Sequence, residues 1–176
     1  MSTPLKTKDS YPVSLSEAKR HLRVEDDWHE DDDYIENLIK VATAKAEQWI
    51  GKDIAETTNS QNFYDFNGSA LNIPEGNFDS FTQATTDASV LVEIDHTDIF
   101  YNYAYVEFST SVTADPLTIT YRTGFDEGEC PLLIKQAILI KIGDLYDIER
   151  QSYSMGNIRE NNAFGNLLDS YRYITF

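Results

Sequence analysis

Cysteine and basic residues are scarce in this sequence of 176 residues. Cys130 is the only cysteine, which excludes an intrachain disulfide and a zinc site built on several thiolates. Lys and Arg number 14 against 30 Asp and Glu, for a formal net charge of −16. Binding to nucleic acids or to anionic membranes depends on clustered basic side chains, so the composition argues against both.

Long hydrophobic runs are also missing. The longest apolar stretch, residues 137–142, is interrupted by Lys141, so we expect no membrane-spanning helix. Residues 1–10 contain Lys6 and Lys8 but no apolar core, so we expect no signal peptide. The sequence has no P-loop and no nucleophile elbow, and we predict no catalytic residues, no bound metal and no cofactor.

The first part of the chain, residues 1–60, is predicted to be helical. Ser14 and Glu17 match a capping box, which marks the start of a short helix. Apolar residues then recur at helical spacing over residues 35–50 and make one stripe, so a second, longer helix is expected there. Gly51 suits the position just after that helix.

The middle part, residues 61–123, changes period and is very acidic, with nine acidic residues and one basic residue. Alternating apolar and polar residues predict strands. The predicted strands are residues 63–66, 71–73, 90–94, 99–108 and 117–122. Residues 75–88 are rich in Thr, Asp and Ser and are predicted to be a loop.

The last part, residues 124–176, is predicted to be helical again. Pro131 suits the first position of a helix over residues 132–149. Its main apolar stripe consists of Ile134, Ile138, Ile142 and Leu145. Leu133 and Ile140 lie on a different side, about 160° away at 100° per residue. A helix that is apolar on two sides is usually buried on two sides, so this helix needs a second partner.

These patterns predict an α+β protein with a single domain over residues 1–176. We expect a mainly α-helical core of three to four helices. A small antiparallel β-sheet, residues 61–123, is inserted between the second and third long helices. The helical part after it, residues 124–176, ends in an apolar tail.

Six segments occur in a distinctive order along the chain. They are PVSLSEAKRHLRV (12–24), EQWIGK (47–52), ITYRTGF (119–125), CPLLIKQAI (130–138), LYDIER (145–150) and LLDSYR (167–172). In order and spacing they resemble the head–tail connector (adaptor) family of tailed bacteriophages, in a variant with an inserted β region. The resemblance covers nearly the whole chain.

The resemblance implies a structural virion protein and not an enzyme. Such proteins form rings, usually dodecamers, below the portal protein at one capsid vertex. They join the capsid to a tail-proximal stopper or tail terminator protein. Double-stranded DNA passes through the lumen without specific binding, and no membrane is involved. The expected location is the neck of the virion, after assembly in the host cytoplasm.

Four residues are candidates for the subunit interface. Leu133 and Ile140 need a second partner, which is either the protein's own core or a neighbouring subunit, and the sequence leaves both open. Lys19 and Arg23, together with Arg20, form a modest basic group. It either meets the acidic face of a neighbour or of the portal, or lies in solvent.

The C-terminal residues are candidates for docking. Residues 161–172 are predicted to form a last short helix, and an apolar tail follows. A free terminus is normally polar and frayed, so we expect this tail to dock on its own core or on another protein. Under the resemblance that protein is the portal. The docking residues are then Tyr171, Arg172, Tyr173, Ile174 and Phe176.

The alternating tyrosines Tyr101, Tyr103 and Tyr105 allow two interpretations. They are either one face of an ordinary strand or a contact stripe for another virion protein. Cys130 is interpreted as a small residue before a helix, with a lowered thiol pKa as the alternative. His96 is interpreted as a turn residue between two strands, with a role as a base as the alternative.

Two other functions stay open at this point. His29 with Glu30 and Asp31 to Asp33 has the ligand types of a magnesium, manganese or calcium site, and a small metal-dependent hydrolase would use the aspartates. The simpler interpretation is a helix start, where carboxylates favour the positive end of the dipole. A soluble protein-binding module that forms no ring is the other alternative.

Overall fold

The computed structural model describes residues 2–74, 76–100, 103–126, 128–150 and 162–172. These residues form two compact units. The β unit takes its residues from 1–10 and 55–125, and the helical unit takes them from 11–54 and 126–176. The single domain expected from the sequence stays a prediction.

The described residues contain eight strands and four α-helices. The strands are β1 (Leu5–Ser10), β2 (Glu56–Phe63), β3 (Phe66–Ile73), β4 (Phe78–Thr85), β5 (Leu91–Val92), β6 (Ile94–Ile99), β7 (Ala104–Ala114) and β8 (Leu117–Thr123). The helices are α1 (Leu15–Leu22), α2 (Asp32–Ile50), α3 (Leu132–Arg150) and α4 (Asn162–Leu168), and a 3-10 turn (Asp169–Tyr171) follows α4.

The prediction of a mainly helical protein with a small sheet is wrong. Two antiparallel sheets hold slightly more of the described residues than the helices do. Strand β1 precedes α1 and was not predicted, and the other seven strands lie between α2 and α3. Residues 75–88, predicted to be a loop, contain β4. The predicted strand at residues 99–108 is instead divided between the end of β6 and the start of β7.

The strand order is β1-β2-β8-β4-β5 in one sheet and β3-β7-β6 in the other. Buried side chains from both sheets form one cluster. Its larger members are Phe63, Ile73, Phe78, Val106, Phe108, Leu117, Ile119 and Tyr121. Phe78 on β4 and Tyr121 on β8 stack with ring centroids 5.5 Å apart. Burial of this apolar surface is the main source of stability for the β unit.

Gly124, directly after β8, is required by a close backbone approach. Its φ of 94° lies in the left-handed region, which favours glycine. A Cβ atom at this position would lie 2.2 Å from the carbonyl oxygen of Ala55. Both constraints explain why glycine follows β8 in the segment ITYRTGF.

The helical unit follows the sequence prediction closely. The capping box is formed: the Glu17 N–H donates to Ser14 Oγ at 3.2 Å, and the Ser14 N–H donates to Glu17 Oε2 at 2.9 Å. Helix α2 begins at Asp32, and Gly51 ends it with a φ of 75°. The buried side of α2 consists of Ile35, Leu38, Ile39, Ala42, Thr43, Ala46 and Ile50.

Helix α3 packs against α2 and α4. Ile134, Ile138 and Ile142 of its predicted apolar stripe are fully buried, as expected. Helix α4 is anchored by Leu168, which is also fully buried. None of the helices in the described parts of the chain is long and apolar enough to cross a membrane.

Candidate interaction surfaces

Lys19, predicted at a subunit interface, lies inside the helical unit. Its side chain is buried. The ammonium donates to the carbonyl oxygen of Trp28 at 2.7 Å and to that of Asp26 at 3.5 Å, and it forms an ion pair with Asp32. Lys19 thus ties α1 to the acidic linker and to the first turn of α2. Because its ammonium is engaged within one subunit, Lys19 is not part of the proposed subunit interface.

Arg23, the other predicted cation of the interface, is exposed. It ends α1 in the left-handed conformation, with φ 58° and ψ 34°, and its backbone N–H donates to the Arg20 carbonyl at 3.3 Å. The side chain of Arg23 is therefore accessible at the C-terminal end of α1. Its contact with a neighbouring subunit stays a prediction.

The first turn of α3 presents apolar side chains to solvent. Leu133 is 47% exposed and Leu132 is 82% exposed, whereas Ile140 is half-buried. Within the helical unit, Lys135 and Glu17 form an ion pair at 3.5 Å beside this turn, which fixes α3 against α1. The protein's own core therefore covers Ile140 in part and leaves Leu133 largely open.

The C-terminal helix is held on α2 by Trp49. The indole Nε1 donates to Asp169 Oδ1 at 3.0 Å, and its ring meets Phe164 edge-on with centroids 6.1 Å apart. The Arg172 guanidinium lies 6.0 Å from the same indole. A Cβ at Gly165 would come within 2.8 Å of the Trp49 ring, so the two helices approach closely here.

These contacts join two of the segments that distinguish the sequence, EQWIGK and LLDSYR. Trp49 lies in the segment EQWIGK near the end of α2, and no local sequence pattern indicates its role as an anchor. The chain leaves this anchor at Arg172, which is exposed, just after the half-buried Tyr171. The other predicted docking residues, Tyr173, Ile174 and Phe176, lie outside the described residues.

The outer face of the β3-β7-β6 sheet carries two of the predicted contact tyrosines. Ala104 and Val106 of β7 point into the core, whereas Tyr105 is half-exposed on the opposite face. Tyr103 stacks on Phe100 with ring centroids 4.5 Å apart and ring planes 18° from parallel. Tyr101 lies outside the described residues.

A cavity of about 500 Å³ opens on this face. It is lined by Asn72, Asp98, Phe100, Tyr103 and Tyr105. Asn72 and Asp98 both pair in register with Tyr105, so the three residues form one row across the sheet. The cavity therefore combines an aromatic wall with a carboxylate and an amide.

The predicted alternative of a metal site finds no geometric support among the residues that the structure describes. His29 Nδ1 lies 2.8 Å from Asp32 Oδ2, but the Lys19 ammonium occupies the other oxygen of that carboxylate. The Tyr146 hydroxyl donates to Asp31 at 3.1 Å. No group of three or more His, Cys, Asp or Glu side chains in the described chain is arranged to hold a metal ion.

His96 and Cys130 both differ from one of their sequence interpretations. His96 lies within β6 and not in a turn, and its Nε2 is 3.0 Å from Asp98 Oδ1. The sequence predicts a turn here because Asp95 and Asp98, which belong to a turn-favouring residue type, flank the histidine. Cys130 is buried, and burial raises the pKa of its thiol to about 11. The alternative of a lowered thiol pKa is therefore wrong.

Three solved structures share the fold of this chain. One comes from the neck of an empty gene transfer agent (GTA) particle computed with C6 symmetry, at 12% identity and a TM-score of 0.70. One comes from the neck of a native GTA particle computed with C12 symmetry, at 13% identity and a TM-score of 0.71. The third comes from the virion of a native GTA particle, at 14% identity and a TM-score of 0.70.

Each of these similarities covers 98% of this chain and 97% of the other chain. No match is found among curated proteins. A family match extends over residues 12–128, which is about two thirds of the chain, and confirms the resemblance read from the sequence. The chain belongs to the phage gp6-like head-tail connector protein family.

Proposed function

We propose that this protein assembles into a ring, usually of twelve subunits, below the portal at the neck of a phage or GTA-like particle. The ring joins the capsid to a tail-proximal stopper or tail terminator protein, and its role is structural and not enzymatic. The observation that carries the proposal is the family match over residues 12–128. The common fold with chains from GTA necks that were computed with C6 and C12 symmetry supports it.

The exposed first turn of α3 supports a contact between subunits. Closed rings need two different surfaces on each subunit, which meet in a heterologous contact. Leu132 and Leu133 offer adjacent apolar surface that the protein's own helical unit leaves open. In this proposal they pack on the next subunit, together with the part of Ile140 that stays accessible, and Arg23 meets an acidic neighbour.

The ring contact can be tested with matched charge insertions. Leu133→Asp should prevent ring formation while the monomer stays folded, because the substitution places a carboxylate in the contact and not in the core. Leu91→Asp is the control, since Leu91 is 69% exposed on β5 and belongs to the β unit, whereas Leu133 belongs to the helical unit. Sedimentation velocity with the portal present measures ring formation, and circular dichroism checks the fold.

The outcomes of this test are distinct. The proposal is supported if the Leu91→Asp variant forms rings and the Leu133→Asp variant is folded but forms none. An unfolded Leu133→Asp variant would show that this face belongs to the core. Rings formed equally by both variants would place the contact elsewhere.

The C-terminal tail is the proposed portal-docking segment. The Trp49 anchor fixes the chain up to Arg172, so a tail beyond this point would project from a defined position. Tyr171, Arg172, Tyr173, Ile174 and Phe176 would then meet the portal. Deletion of residues 173–176 leaves the anchor intact and should abolish co-sedimentation with portal. Unchanged co-sedimentation would refute the docking role.

The charge of the protein suits a channel that lets DNA pass. A net charge of −16 repels the phosphate backbone, and low affinity for phosphates avoids retention of the moving DNA. The half-exposed tyrosines of β7 and its preceding turn are the proposed contact for a further virion protein.

A further inference from the structure

We infer that the cavity on the outer face of the β3-β7-β6 sheet binds an arginine side chain from a basic segment of a partner protein. The inference rests on the partner contact proposed for this face and specifies the chemistry of the partner. It does not depend on ring formation, because all the lining residues belong to one β unit.

The shape of the cavity fits a long planar cation. Phe100 and Tyr103 stack into a flat aromatic wall, and Tyr105 forms the middle of the floor between Asn72 and Asp98. The wall is held in place by a backbone hydrogen bond from the Phe100 N–H to the Tyr103 carbonyl at 2.9 Å. A volume of about 500 Å³ accepts a complete side chain with room for water.

The charge around the cavity is negative. Asp98 contributes a carboxylate to the lining, and Glu107 lies in the next row of the same face, where it pairs with His96. Residues 61–123 contain a single basic residue, Arg122, which forms an ion pair with Glu56 in the other sheet. Among the residues that the structure describes, no Lys or Arg side chain lines the cavity, so a cation from outside is the complementary occupant.

Arginine matches this lining better than lysine does. Its planar guanidinium stacks on aromatic faces and presents a fork of N–H donors to a carboxylate. In the cavity it would stack on the Phe100–Tyr103 wall and donate to Asp98 Oδ2, since Oδ1 already lies 3.0 Å from His96 Nε2. The Asn72 amide oxygen would accept a further N–H. A lysine ammonium is a compact point charge without a planar group that could stack on the aromatic wall. Nucleic acid is excluded by the same acidic charge that favours the arginine.

The test uses the full-length protein and a blocked peptide of alternating Gly and Arg residues as the probe. A peptide with citrulline in place of Arg is the matched control, because citrulline has the same shape without the charge. Binding is followed by NMR from the amide signals of β3, β6 and β7. Two variants are compared, Asp98→Asn in the cavity and Asp87→Asn in the turn between β4 and β5, which change the net charge equally.

The expected result is a saturable shift of signals around Asp98, Tyr103 and Tyr105 with the Arg peptide. Affinity should be at least tenfold lower with the citrulline peptide and with Asp98→Asn, and unchanged with Asp87→Asn. Equal loss in both Asp variants, equal response to citrulline or no saturable shift would overturn the inference. Shifts of the same signals on raising the protein concentration alone would assign the cavity to a second copy of the chain and also overturn it.

The ring proposal and the cavity proposal can be rejected independently of each other. Loss of arginine binding in a protein that still forms rings with the portal would reject the cavity proposal alone. Retained arginine binding in a protein that never forms rings would reject the ring proposal alone.

Discussion

The Lys19 ammonium is bound to the Asp32 carboxylate inside the helical unit. This pair joins the middle of α1 to the first turn of α2, and the carbonyl of Trp28 completes the surroundings of the cation at 2.7 Å. The acidic linker between the two helices therefore closes around a cation supplied by α1. The contact explains how a linker so rich in carboxylates is held in one conformation.

Replacement of Lys19 should destabilise the helical unit. Lys19→Met keeps the length of the side chain but leaves the Trp28 carbonyl and Asp32 without their charged donor. We expect a loss of about 1.5–3 kcal/mol in the free energy of unfolding, measured by urea denaturation. Arg20→Met is the matched control, because Arg20 is exposed and its Nε makes one long bond, 3.4 Å, to the Ser16 carbonyl. Equal losses in the two variants would contradict the structural role of Lys19.

Acid should weaken the same contact. The hydrogen bond from Lys19, and secondarily the one from His29, lowers the pKa of Asp32 below its ordinary value. The folded state therefore binds this proton less readily than the unfolded state does. The stabilisation is present above the ordinary pKa of about 4, and it is lost as the pH falls through the lower folded value.

The stability difference between the wild type and Asp32→Asn should accordingly shrink on acidification. Urea midpoints measured in steps from about pH 6 to about pH 2.5 test this expectation. The Glu17 pKa is lowered as well, mainly by the backbone N–H of Ser14, so the wild type loses additional stability over the same window. A difference between wild type and Asp32→Asn that stays constant over the range would show that Asp32 does not act through its charge.

Cys130 should be unreactive in the folded protein. Its side chain is 4% exposed, and burial raises the pKa of the thiol to about 11. Because the thiolate is the reacting form, labelling by a disulfide reagent at neutral pH should be at least about 100-fold slower than for a free thiol. Denaturant should restore the ordinary rate. Fast labelling without denaturant would contradict the buried position.

Gly165→Ala should loosen the C-terminal helix. The added methyl group would lie 2.8 Å from the Trp49 ring, so α4 or the indole must shift, at a cost of about 1–3 kcal/mol in unfolding free energy. Gly143→Ala in α3 is the control, since its methyl group would meet His21 at an ordinary 3.6 Å. Tryptophan emission should move to longer wavelength in the first variant alone. Unchanged emission and stability would refute the close contact.

The helices could be predicted from the sequence because each has local signals that agree with its packing. The capping box at Ser14, the apolar period of α2 and the glycine at position 51 all act within a few residues. The apolar stripe of α3 was likewise identified correctly. The resemblance to the connector family is confirmed by a match over residues 12–128, which contains three of the six distinctive segments.

The extent of the sheets could not be predicted because several strands depend on distant partners. Strand β2 has the polar sequence ETTNSQNF, but Thr57, Asn59 and Gln61 are buried in it. The Asn59 amide donates to Thr123 Oγ1 at 2.8 Å, and the Tyr121 hydroxyl donates to Gln61 at 3.2 Å. Hydrogen bonds across 60 or more positions in the chain replace the apolar alternation that marks an ordinary half-buried strand.

The surroundings of the candidate surface residues also depend on residues that are distant in the sequence. The spacing of Leu133 places it on a second side of α3, but helical geometry alone does not say whether the protein's own core covers that side. The burial of Lys19 depends on the positions of the Asp26 and Trp28 carbonyl groups in the linker, which no local sequence pattern indicates. The cavity at Tyr105 depends on the register of three strands, so its carboxylate and amide could not be assigned to it from the sequence.

The native mass of the purified protein, alone and with portal, tests the ring most directly. Twelve copies would carry roughly −190 formal charges, so assembly should be poor at low salt and should improve at moderate salt or on the portal as a template. A closed oligomer is expected at moderate salt or in the presence of portal. A monomer at every salt concentration, with and without portal, would contradict it.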